Sequence, residues 1–294
     1  MRRALAPLLT PLVLVPLLLV AALAGCKREP LPADPAIWHV TGSHGEEAWL
    51  FGTIHAAPRP IAWETPKVRA ALDRADEIVV EIANVGDQAA LAEAFTALAR
   101  TPGLPPVAAR VPPGKRAALA RMLAERGIKE ADLNDTETWA VALTLARPLH
   151  GDESRNGVDR AVLDATKGKP VVELEGARQQ LSIFDTLPEA EQRDLLLAVL
   201  GDSGALEDSD QLVAIWRDGD MARIEGETKT GLLADPELRA ALFTGRNLRW
   251  SARIVGEMNR RHRPFVAVGA AHMAGPDGLV ALLQGAGFTV RRVE

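Results

Sequence analysis

The stretch Trp49-Leu50-Phe51-Gly52-Thr53-Ile54-His55 is a largely apolar run that ends in Gly-x-x-His, and Val266-Ala267-Val268-Gly269-Ala270-Ala271-His272 repeats the pattern near the other end of the chain. Each stretch predicts a strand whose glycine lets the chain turn and approach other backbone closely. The histidine then stands just past the carboxyl end of the strand. Because sites in open α/β sheets assemble at that edge, His55 and His272 are candidate functional residues.

Hydrophobic patterning around these two stretches predicts a sheet that both ends of the chain join, with helices between them. Strands are predicted over residues 37–40, 48–54, 77–82, 170–174, 265–268 and 288–293. Helices are predicted over residues 65–74, 88–100, 136–149, 158–167, 190–200, 206–216, 236–262 and 276–284, together with one that ends near residue 126.

Thr65 is the expected cap of the first helix, with Pro66 in the first helical position, and Gly245 is a candidate break in the long helix over 236–262. Together the elements predict an α/β fold, with α+β as the alternative. We expect a single domain whose central mixed β-sheet is formed by the N- and C-terminal segments around a helix-rich middle.

The start of the chain differs in composition from the rest. Arg2 and Arg3 precede an apolar run over residues 4–24, and Leu23-Ala24-Gly25 then leads to Cys26. This pattern is typical of a secretory signal peptide and resembles the bacterial lipobox, in which the cysteine is lipidated. The alternative is an uncleaved anchor helix, because about 20 residues can span a bilayer.

This pattern predicts a signal peptide over residues 1–25, a lipidated Cys26 with a flexible tether over 26–36, and a folded domain over 37–294. Lipid chains hold such a domain at a membrane without a spanning helix. We therefore expect the protein in the bacterial cell envelope, facing the periplasm or the surface. The outer membrane is favoured, since Lys27 is not the aspartate that retains enteric lipoproteins at the inner membrane.

The composition removes several kinds of chemistry. The 294 residues contain one cysteine and no tyrosine, which excludes an intramolecular disulfide framework and a Cys-rich zinc module. With Cys26 as the lipid site, a nucleophile or metal ligand of the folded domain must come from His, Asp, Glu, Asn, Ser or Thr. The formal net charge of −5 provides no basic excess to neutralise phosphates, so no nucleic-acid partner is expected.

Glu81 directly follows the apolar run Ile78-Val79-Val80, close to a predicted buried strand. A carboxylate in that place needs a proton, a cation or strong hydrogen-bond donors, because an unpaired buried charge is costly. With His55 and His272 it forms a set of imidazole and carboxylate groups that suits zinc, manganese, cobalt or iron. The residues alone leave open that each histidine only bonds a local loop.

Four further residues are candidates for supporting roles. Asp159 lies at a predicted helix start, where it has a site role or improves the electrostatics of the helix N-terminus. Arg246 is a candidate to bind a substrate carboxylate or a developing oxyanion, and the alternative is an ion pair with Glu81 or Asp159. Asn247 is similarly open between a role in the site and a purely structural one. Glu175 follows a predicted strand and is a candidate to orient a ligating histidine.

Six motifs occur along the chain in one order: Leu50-Phe51-Gly52-Thr53-Ile54-His55, Val79-Val80-Glu81, Asn156-Gly157-Val158-Asp159, Leu174-Glu175 with Gln179, Arg246-Asn247, and Val268-Gly269-Ala270-Ala271-His272. This series resembles the TraB/GumN family, which includes the Tiki Wnt-inactivating metalloproteases. The resemblance covers nearly all of the chain after the predicted signal peptide, from about residue 38 to residue 293. Family members often carry a glutamate before the Arg-Asn pair, whereas Thr244-Gly245 stands there in this chain, which makes a carboxylate role at that point unavailable.

The resemblance implies a metal-dependent, peptidase-like hydrolase site. His55, His272 and Glu81 would hold a divalent metal, with manganese, cobalt or zinc as candidates, and Glu81 would be a third ligand or the general base that activates water. Arg246 would polarise the scissile carbonyl, and Asn247 and Asp159 complete the candidate catalytic residues. The implied substrate is a peptide or another amide or ester.

Two other functions stay open. The family is similar to the erythromycin esterase group in its early histidine and glutamate, which implies metal-independent ester hydrolysis in which His55 activates water. The name GumN comes from an exopolysaccharide gene cluster, which implies a non-catalytic binding protein of the envelope related to polysaccharide.

Overall fold

A mixed six-stranded sheet lies at the centre of the computed structural model, which describes residues 29–83, 88–147, 153–201 and 209–294. The strands are β1 (Leu31–Pro32), β2 (Ile37–Thr41), β3 (Glu47–Thr53), β4 (Ile61–Ala62), β5 (Glu77–Val80), β6 (Val171–Glu173), β7 (Pro264–Gly269) and β8 (Thr289–Arg292). The sheet has the order β6-β5-β7-β3-β2-β8, and β1 pairs separately with β4.

Four neighbouring strands of the sheet, β6, β5, β7 and β3, run parallel, whereas β2 is antiparallel to both β3 and β8. The carboxyl ends of β3, β5, β6 and β7 therefore lie at the same edge of the sheet. Because β2 and β3 come from the start of the chain and β7 and β8 from its end, the two termini together build the sheet, as the sequence predicts.

The helices connect and cover these strands. They are α1 (Pro66–Arg74), α2 (Gln88–Leu98), α3 (Arg116–Glu125), α4 (Thr138–Ala146), α5 (Val158–Ala165), α6 (Ala177–Asp185), α7 (Glu189–Gly201), α8 (Ser209–Arg217), α9 (Met221–Glu227), α10 (Pro236–Arg239), α11 (Gly245–Asn259) and α12 (Leu279–Gly285). Short 3₁₀ turns occur at Val107–Ala109, Pro113–Lys115, Glu130–Leu133, Glu153–Asn156, Gly231–Ala234 and Ala270–Met273.

Alternation along the strands builds two apolar cores, because successive side chains face opposite sides of a sheet. Phe51 and Phe265 lie in one core, which α1, α5 and α8 cover, whereas Leu50 and Val266 lie in the other, which α11 and α12 cover. A third core joins α3, α4 and α7 around the fully buried Trp139. Much of the helix-rich middle of the chain thus packs on itself, while its β6 and α5 join the sheet and the core on one of its faces.

The sequence predicts this architecture, and the α/β class with a single domain is confirmed. Thr65 caps α1 as expected, since its hydroxyl accepts a hydrogen bond from the Val68 N–H at 3.3 Å. Patterning missed α6, α9 and the β1–β4 pair. The long helix predicted over 236–262 is broken at Gly245 as expected: a π-helical turn, Ala240–Thr244, lies between α10 and α11, which begins at Gly245 and ends at Asn259.

The predicted signal peptide and Cys26 lie outside the described residues, as do His150 and the start of the helix predicted over 206–216. Among the residues that the structure describes, none of the helices has the length and apolar character needed to cross a membrane.

Gly52, the first glycine of the Gly-x-x-His pair, lies where two backbone segments approach closely. A Cβ atom added to it would stand 2.8 Å from Cα and 2.9 Å from Cβ of Ala270, in the turn that follows β7. The indole Nε1–H of Trp216 also donates to the Gly52 carbonyl at 2.8 Å. Glycine is therefore required at this position for space.

We expect Gly52→Ala to lower the free energy of unfolding by about 1–3 kcal/mol, because a methyl group there overpacks a backbone contact. Gly256→Ala is the matched control, since Gly256 lies within α11 and its added Cβ would meet nothing within 4 Å. That change should raise stability by about 0.5–1 kcal/mol. Urea denaturation of the purified proteins measures both values, and equal stability of the two variants would contradict the argument.

Candidate functional site

Four chemistry-bearing residues follow the carboxyl ends of the four parallel strands. His55 lies two residues beyond β3, Glu81 directly after β5, Glu175 two residues beyond β6, and His272 in the 3₁₀ turn after β7. The strand register aligns these ends, since Thr53 pairs with Gly269 and Val80 with Ala267. The parallel sheet therefore brings together residues that are up to 217 positions apart in the sequence.

Gly269 marks the point at which the two histidines and the glutamate meet. A Cβ atom added to it would lie 3.4 Å from Oε1 of Glu81, 3.7 Å from Nε2 of His55 and 3.7 Å from Cδ2 of His272. Its N–H also donates to Oε1 of Glu81 at 2.8 Å. Unlike Gly52, this glycine makes no close backbone approach through its open side. Its missing side chain leaves space between the three candidate ligands.

His55 is held by Asp159. Nδ1 of His55 lies 2.7 Å from Oδ2 of Asp159, and the Thr53 hydroxyl donates to the other carboxylate oxygen. The charge and hydrogen bond of Asp159 raise the pKa of His55 to about 9. The His55 side chain is nevertheless 72% exposed, so water reaches its Nε2 face and screens the pair. Asp159 therefore makes a contact with His55. A carboxylate that only improved the electrostatics of the helix N-terminus would not need this contact.

The Asn156-Gly157-Val158-Asp159 motif fixes the loop on which His55 lies. The Val158 N–H donates to the Ile54 carbonyl at 2.8 Å, and the Asn156 side chain donates to the Ala57 carbonyl at 2.9 Å. A Cβ atom on Gly157 would stand 2.4 Å from the His55 carbonyl oxygen. The motif is therefore a clamp that sets His55 against Asp159.

His272 has the opposite environment, since it is buried and apolar rings surround it. Its Nδ1 lies 2.6 Å from Oδ1 of Asn247, whose Nδ2 donates to the Asp277 carbonyl at 2.8 Å. The imidazole stacks on Phe243 with centroids 5.3 Å apart and contacts Trp250 at 4.5 Å. Burial lowers the pKa of His272 to about 4, so this imidazole is neutral near pH 7.

Arg246 uses every one of its N–H groups within the protein. Nε donates to Glu175 at 3.0 Å, and Nη2 donates to Glu81 at 2.8 Å and to Glu175 at 2.9 Å. Nη1 donates to the Leu242 carbonyl at 3.3 Å and lies 3.3 Å from Nε2 of His272. Guanidinium has five N–H donors, so none is left for a scissile carbonyl. The ion pair with Glu81, the alternative that the sequence left open, is the one present.

Glu81 is a buried carboxylate that both backbone and side chains hold in place. Burial would raise its pKa, but the two histidines, Arg246 and the Gly269 N–H outweigh that effect and lower it below the ordinary value. The backbone N–H groups of Glu175 and Gly176 donate to its carbonyl at 3.2 and 3.1 Å. Glu81 is therefore an ionised, fixed acceptor.

A cavity of about 320 Å³ opens beside these groups. His55, Glu81 and Asp159 form its polar wall. The other lining residues, all but one apolar, are Val80, Ile82, Leu91, Leu163, Gln180 and Ala267. The cavity thus presents an exposed imidazole and a carboxylate to any molecule that fits an apolar pocket.

The role expected for Glu175 needs revision, and three residues of the site were not predicted. Glu175 contacts no histidine among the described residues; its carboxylate binds Arg246 and accepts from Nε1 of Trp250 at 3.1 Å, so it orients the arginine. Sequence reasoning also gave no role to Thr53, Phe243 or Trp250. Trp250 follows Arg246 by one helical turn of α11, a spacing that predicts contact, and the guanidinium lies 4.5 Å from its ring centroid.

The candidate ligand atoms of His55, Glu81 and His272 are more widely spaced than in a compact metal cluster. Two groups within the described part of the chain bring three ligand atoms within 4.8 Å of one another. These groups are Glu77, Glu257 and His262, and Glu191, Asp194 and Asp235. The predicted set is not among them, so its three ligand atoms do not all approach that closely.

Comparison with known proteins supports the family resemblance that the order of the motifs suggests. Residues 36–292 match the model of the TraB/PrgY/gumN family. The chain belongs to this family. It is 26% identical over 261 residues to the uncharacterized protein YbaP of Shigella flexneri, a match covering 85% of this chain and 92% of YbaP. It is also 26% identical over 246 residues to YbaP of Escherichia coli strain K12, covering 80% and 87% of the two chains.

No solved structure matches the chain. The family membership therefore stands on sequence, and the resemblance that the motifs suggested is confirmed.

We expect Asp159→Asn to lower the pKa of His55 from about 9 by about 1–3 pH units, because removing an adjacent opposite charge removes its stabilisation of the imidazolium. In the unaltered protein the pair contributes stability that is full below the ordinary histidine pKa and is lost as pH rises through about 9. The pKa is read from an NMR titration of the imidazole Cε1–H signal after treatment with a chelator.

Asp164→Asn is the matched control for this titration. It removes the same charge from the same helix, but Asp164 is exposed and pairs with Lys167. The pKa of His55 should stay near its original value in this variant. An equal pKa in Asp159→Asn and Asp164→Asn would refute the pairing.

Proposed function

We propose that this member of the TraB/PrgY/gumN family is a divalent-metal-dependent hydrolase that cleaves a peptide or another amide or ester bond. The observation that carries the proposal is the way in which the two histidines are held. Each Nδ1 faces an oxygen acceptor, Asp159 for His55 and Asn247 for His272. Metal-binding histidines are oriented in this way by partners of the other ring nitrogen, and the arrangement leaves Nε2 as the ligand atom.

The donor set fits manganese, cobalt or zinc in its chemistry. Two imidazoles and one carboxylate, from His55, His272 and Glu81, are a ligand set that zinc and related ions accept with a position left for water. Their spacing requires one side chain to move inward, and His55 is the one with room because it is 72% exposed. Nε2 of His272 would also have to exchange its contact with Arg246 for the metal.

When bound, the metal supplies a water molecule of lowered pKa. Glu81 is either the third ligand or, where the two histidines alone hold the metal, the general base: it is ionised, lines the cavity, and each of its oxygens keeps a lone pair beyond the bonds to Gly269 and Arg246. The apolar wall of the cavity holds the substrate and limits access of bulk water. Asn247 and Asp159 position the histidines, and Arg246 positions Glu81 instead of polarising the carbonyl.

His55→Ala and His272→Ala should each lower bound metal and reduce hydrolysis by at least about 100-fold, whereas Glu81→Gln should reduce hydrolysis by a similar factor. His44→Ala is the matched control, since the His44 side chain is 79% exposed and lies outside the site. Metal content is measured by mass spectrometry of the purified proteins loaded with Mn²⁺, Co²⁺ or Zn²⁺. Hydrolysis is measured on fluorogenic peptides and p-nitrophenyl esters, and circular dichroism checks folding.

A metal-independent hydrolase is the second candidate, and the contact between Arg246 and His272 favours it. Nη1 of Arg246 lies 3.3 Å from Nε2 of His272 and faces its lone pair. The polar groups that face the cavity are His55, Glu81 and Asp159. Here the unprotonated form of His55, populated as the pH approaches about 9, takes a proton from the attacking water and returns it to the leaving group. Full activity of chelator-treated protein would sink the metal-dependent proposal and support this one. Stable metal binding without hydrolysis of any substrate would favour the non-catalytic binding role.

We further propose that the protein is lipidated at Cys26 and held in the bacterial cell envelope. Support comes from the residues before the cysteine, Leu23-Ala24-Gly25, and the positive start of the chain. Cys26→Ser should abolish incorporation of labelled palmitate and move the protein from the membrane to the soluble fraction. An unchanged distribution with no label in either form would refute lipidation and favour an uncleaved anchor helix.

A further inference from the structure

A second cluster of potential ligands lies at the opposite edge of the sheet from the candidate site. Glu77 is the first residue of β5, Glu257 lies near the end of α11, and His262 precedes β7. Nδ1 of His262 is 3.0 Å from Oε2 of Glu77 and 3.2 Å from Oε2 of Glu257. At about 3.3 Å per strand residue, Glu77 and Glu81 are separated by about 13 Å, so the two clusters are distinct.

Both carboxylates of this cluster are buried, and one has an unsatisfied oxygen. The side chains of Glu77 and Glu257 are 6% and 5% exposed. Oε1 of Glu77 has no hydrogen-bond partner among the described residues. Burial raises the pKa of Glu77, His262 opposes that effect, and the neighbouring Glu257 and Asp76 add to it. Glu77 therefore carries a charge that its surroundings compensate incompletely.

Three arginines lie near the cluster, and two of them contact its member Glu257. Nη1 of Arg260 donates to Oε1 of Glu257 at 2.8 Å, and Nε of Arg253 is 3.7 Å from the same oxygen. Arg263 pairs with Asp76 at 3.1 Å. Within the described structure these arginines reach Glu257 and Asp76, whereas Glu77 pairs with His262. An additional cation would meet the unsatisfied oxygen of Glu77.

We propose that Glu77, Glu257 and His262 form a second divalent-cation site, for zinc or manganese, that ties the start of β5 to the end of α11. One ligand atom from each residue lies within 4.8 Å of the others, and one imidazole with two carboxylates is a donor set that these ions accept. His262 is 48% exposed, so the site is open to solvent on one side. Water completes the coordination there.

The site has a structural role. Helix α11 begins with the residues that hold the candidate active site, Arg246 and Asn247, and ends at this cluster. A cation at Glu257 fixes the far end of that helix to the sheet. Because a ligand that binds only the folded state stabilises it by an amount that rises with the logarithm of its concentration above Kd, the ion should raise the melting temperature without entering the reaction.

The test is a titration of the purified full-length protein with ZnCl₂, followed by isothermal calorimetry and thermal unfolding. At a free concentration about 100-fold above its Kd, Zn²⁺ at this site should raise the Tm of the unaltered protein by about 5 °C. Glu77→Gln and His262→Gln should each weaken binding of this zinc equivalent at least about tenfold and remove the part of the rise in Tm that this site contributes. Asp76→Asn is the matched control, since it removes a neighbouring charge that pairs with Arg263, and it should keep both responses.

His55→Ala separates this site from the proposed active site. It should retain the zinc equivalent that Glu77→Gln loses, whether or not the active-site proposal holds. The proposal is overturned if Glu77→Gln and His262→Gln bind Zn²⁺ and gain Tm like the unaltered protein, as binding at the half-exposed group of Glu191, Asp194 and Asp235 would produce. If Glu77→Gln fails to fold, the exposed His262→Gln decides alone, with loss of the zinc equivalent supporting the site and its retention overturning it.

Discussion

The rest of the site depends on the ion pairs that the buried guanidinium of Arg246 forms with two glutamates. The guanidinium binds Glu81, at the end of β5, and Glu175, beyond β6, and it lies over the ring of Trp250. A permanent charge in this place is tolerable only with its partners, because loss of one member of a buried ion pair typically costs about 3–5 kcal/mol. The parallel strand ends bring Glu81 and Glu175 to one edge of the sheet, the Gly269 N–H holds Glu81 there, and α11 carries Arg246.

The charges around Arg246 do not balance, and this imbalance connects the two enzymatic candidates. Three carboxylates, Glu81, Glu175 and Asp159, face two permanent cations, the buried Arg246 and the more exposed Arg249, whose Nη2 lies 3.9 Å from Glu175, which leaves one negative charge. A proton on His55 compensates that charge, in keeping with the raised pKa of His55 beside Asp159. In the proposed metal site, a divalent ion would bind the unprotonated imidazole. Metal and proton would therefore compete for His55.

The sequence predicts the strands and the edge at which His55, Glu81 and His272 meet, because apolar runs that end in Gly-x-x-His fix both the strand and its direction. It does not predict which side chain holds His55. The contact of Asp159 with His55 depends on how α5 packs, and the two residues are 104 positions apart in the sequence. Glu175 illustrates the limit: its place at the sheet edge is predictable, whereas its choice of Arg246 over a histidine follows from α11. The π-helical form of the turn before Gly245 was not predicted, because residues 236–262 keep a helical pattern across it.

The two histidines are not equivalent, although their motifs are. His272 is immobilised between Phe243, Trp250 and Asn247 and stays neutral, and its Nε2 lone pair faces Arg246. His55 is exposed and basic, and only its Nδ1 is anchored. Any metal must displace a proton from His55 before it gains that ligand, since imidazolium has no lone pair to donate. In the proposed metal site, binding would therefore require loss of a proton at His55 and release of His272 from Arg246.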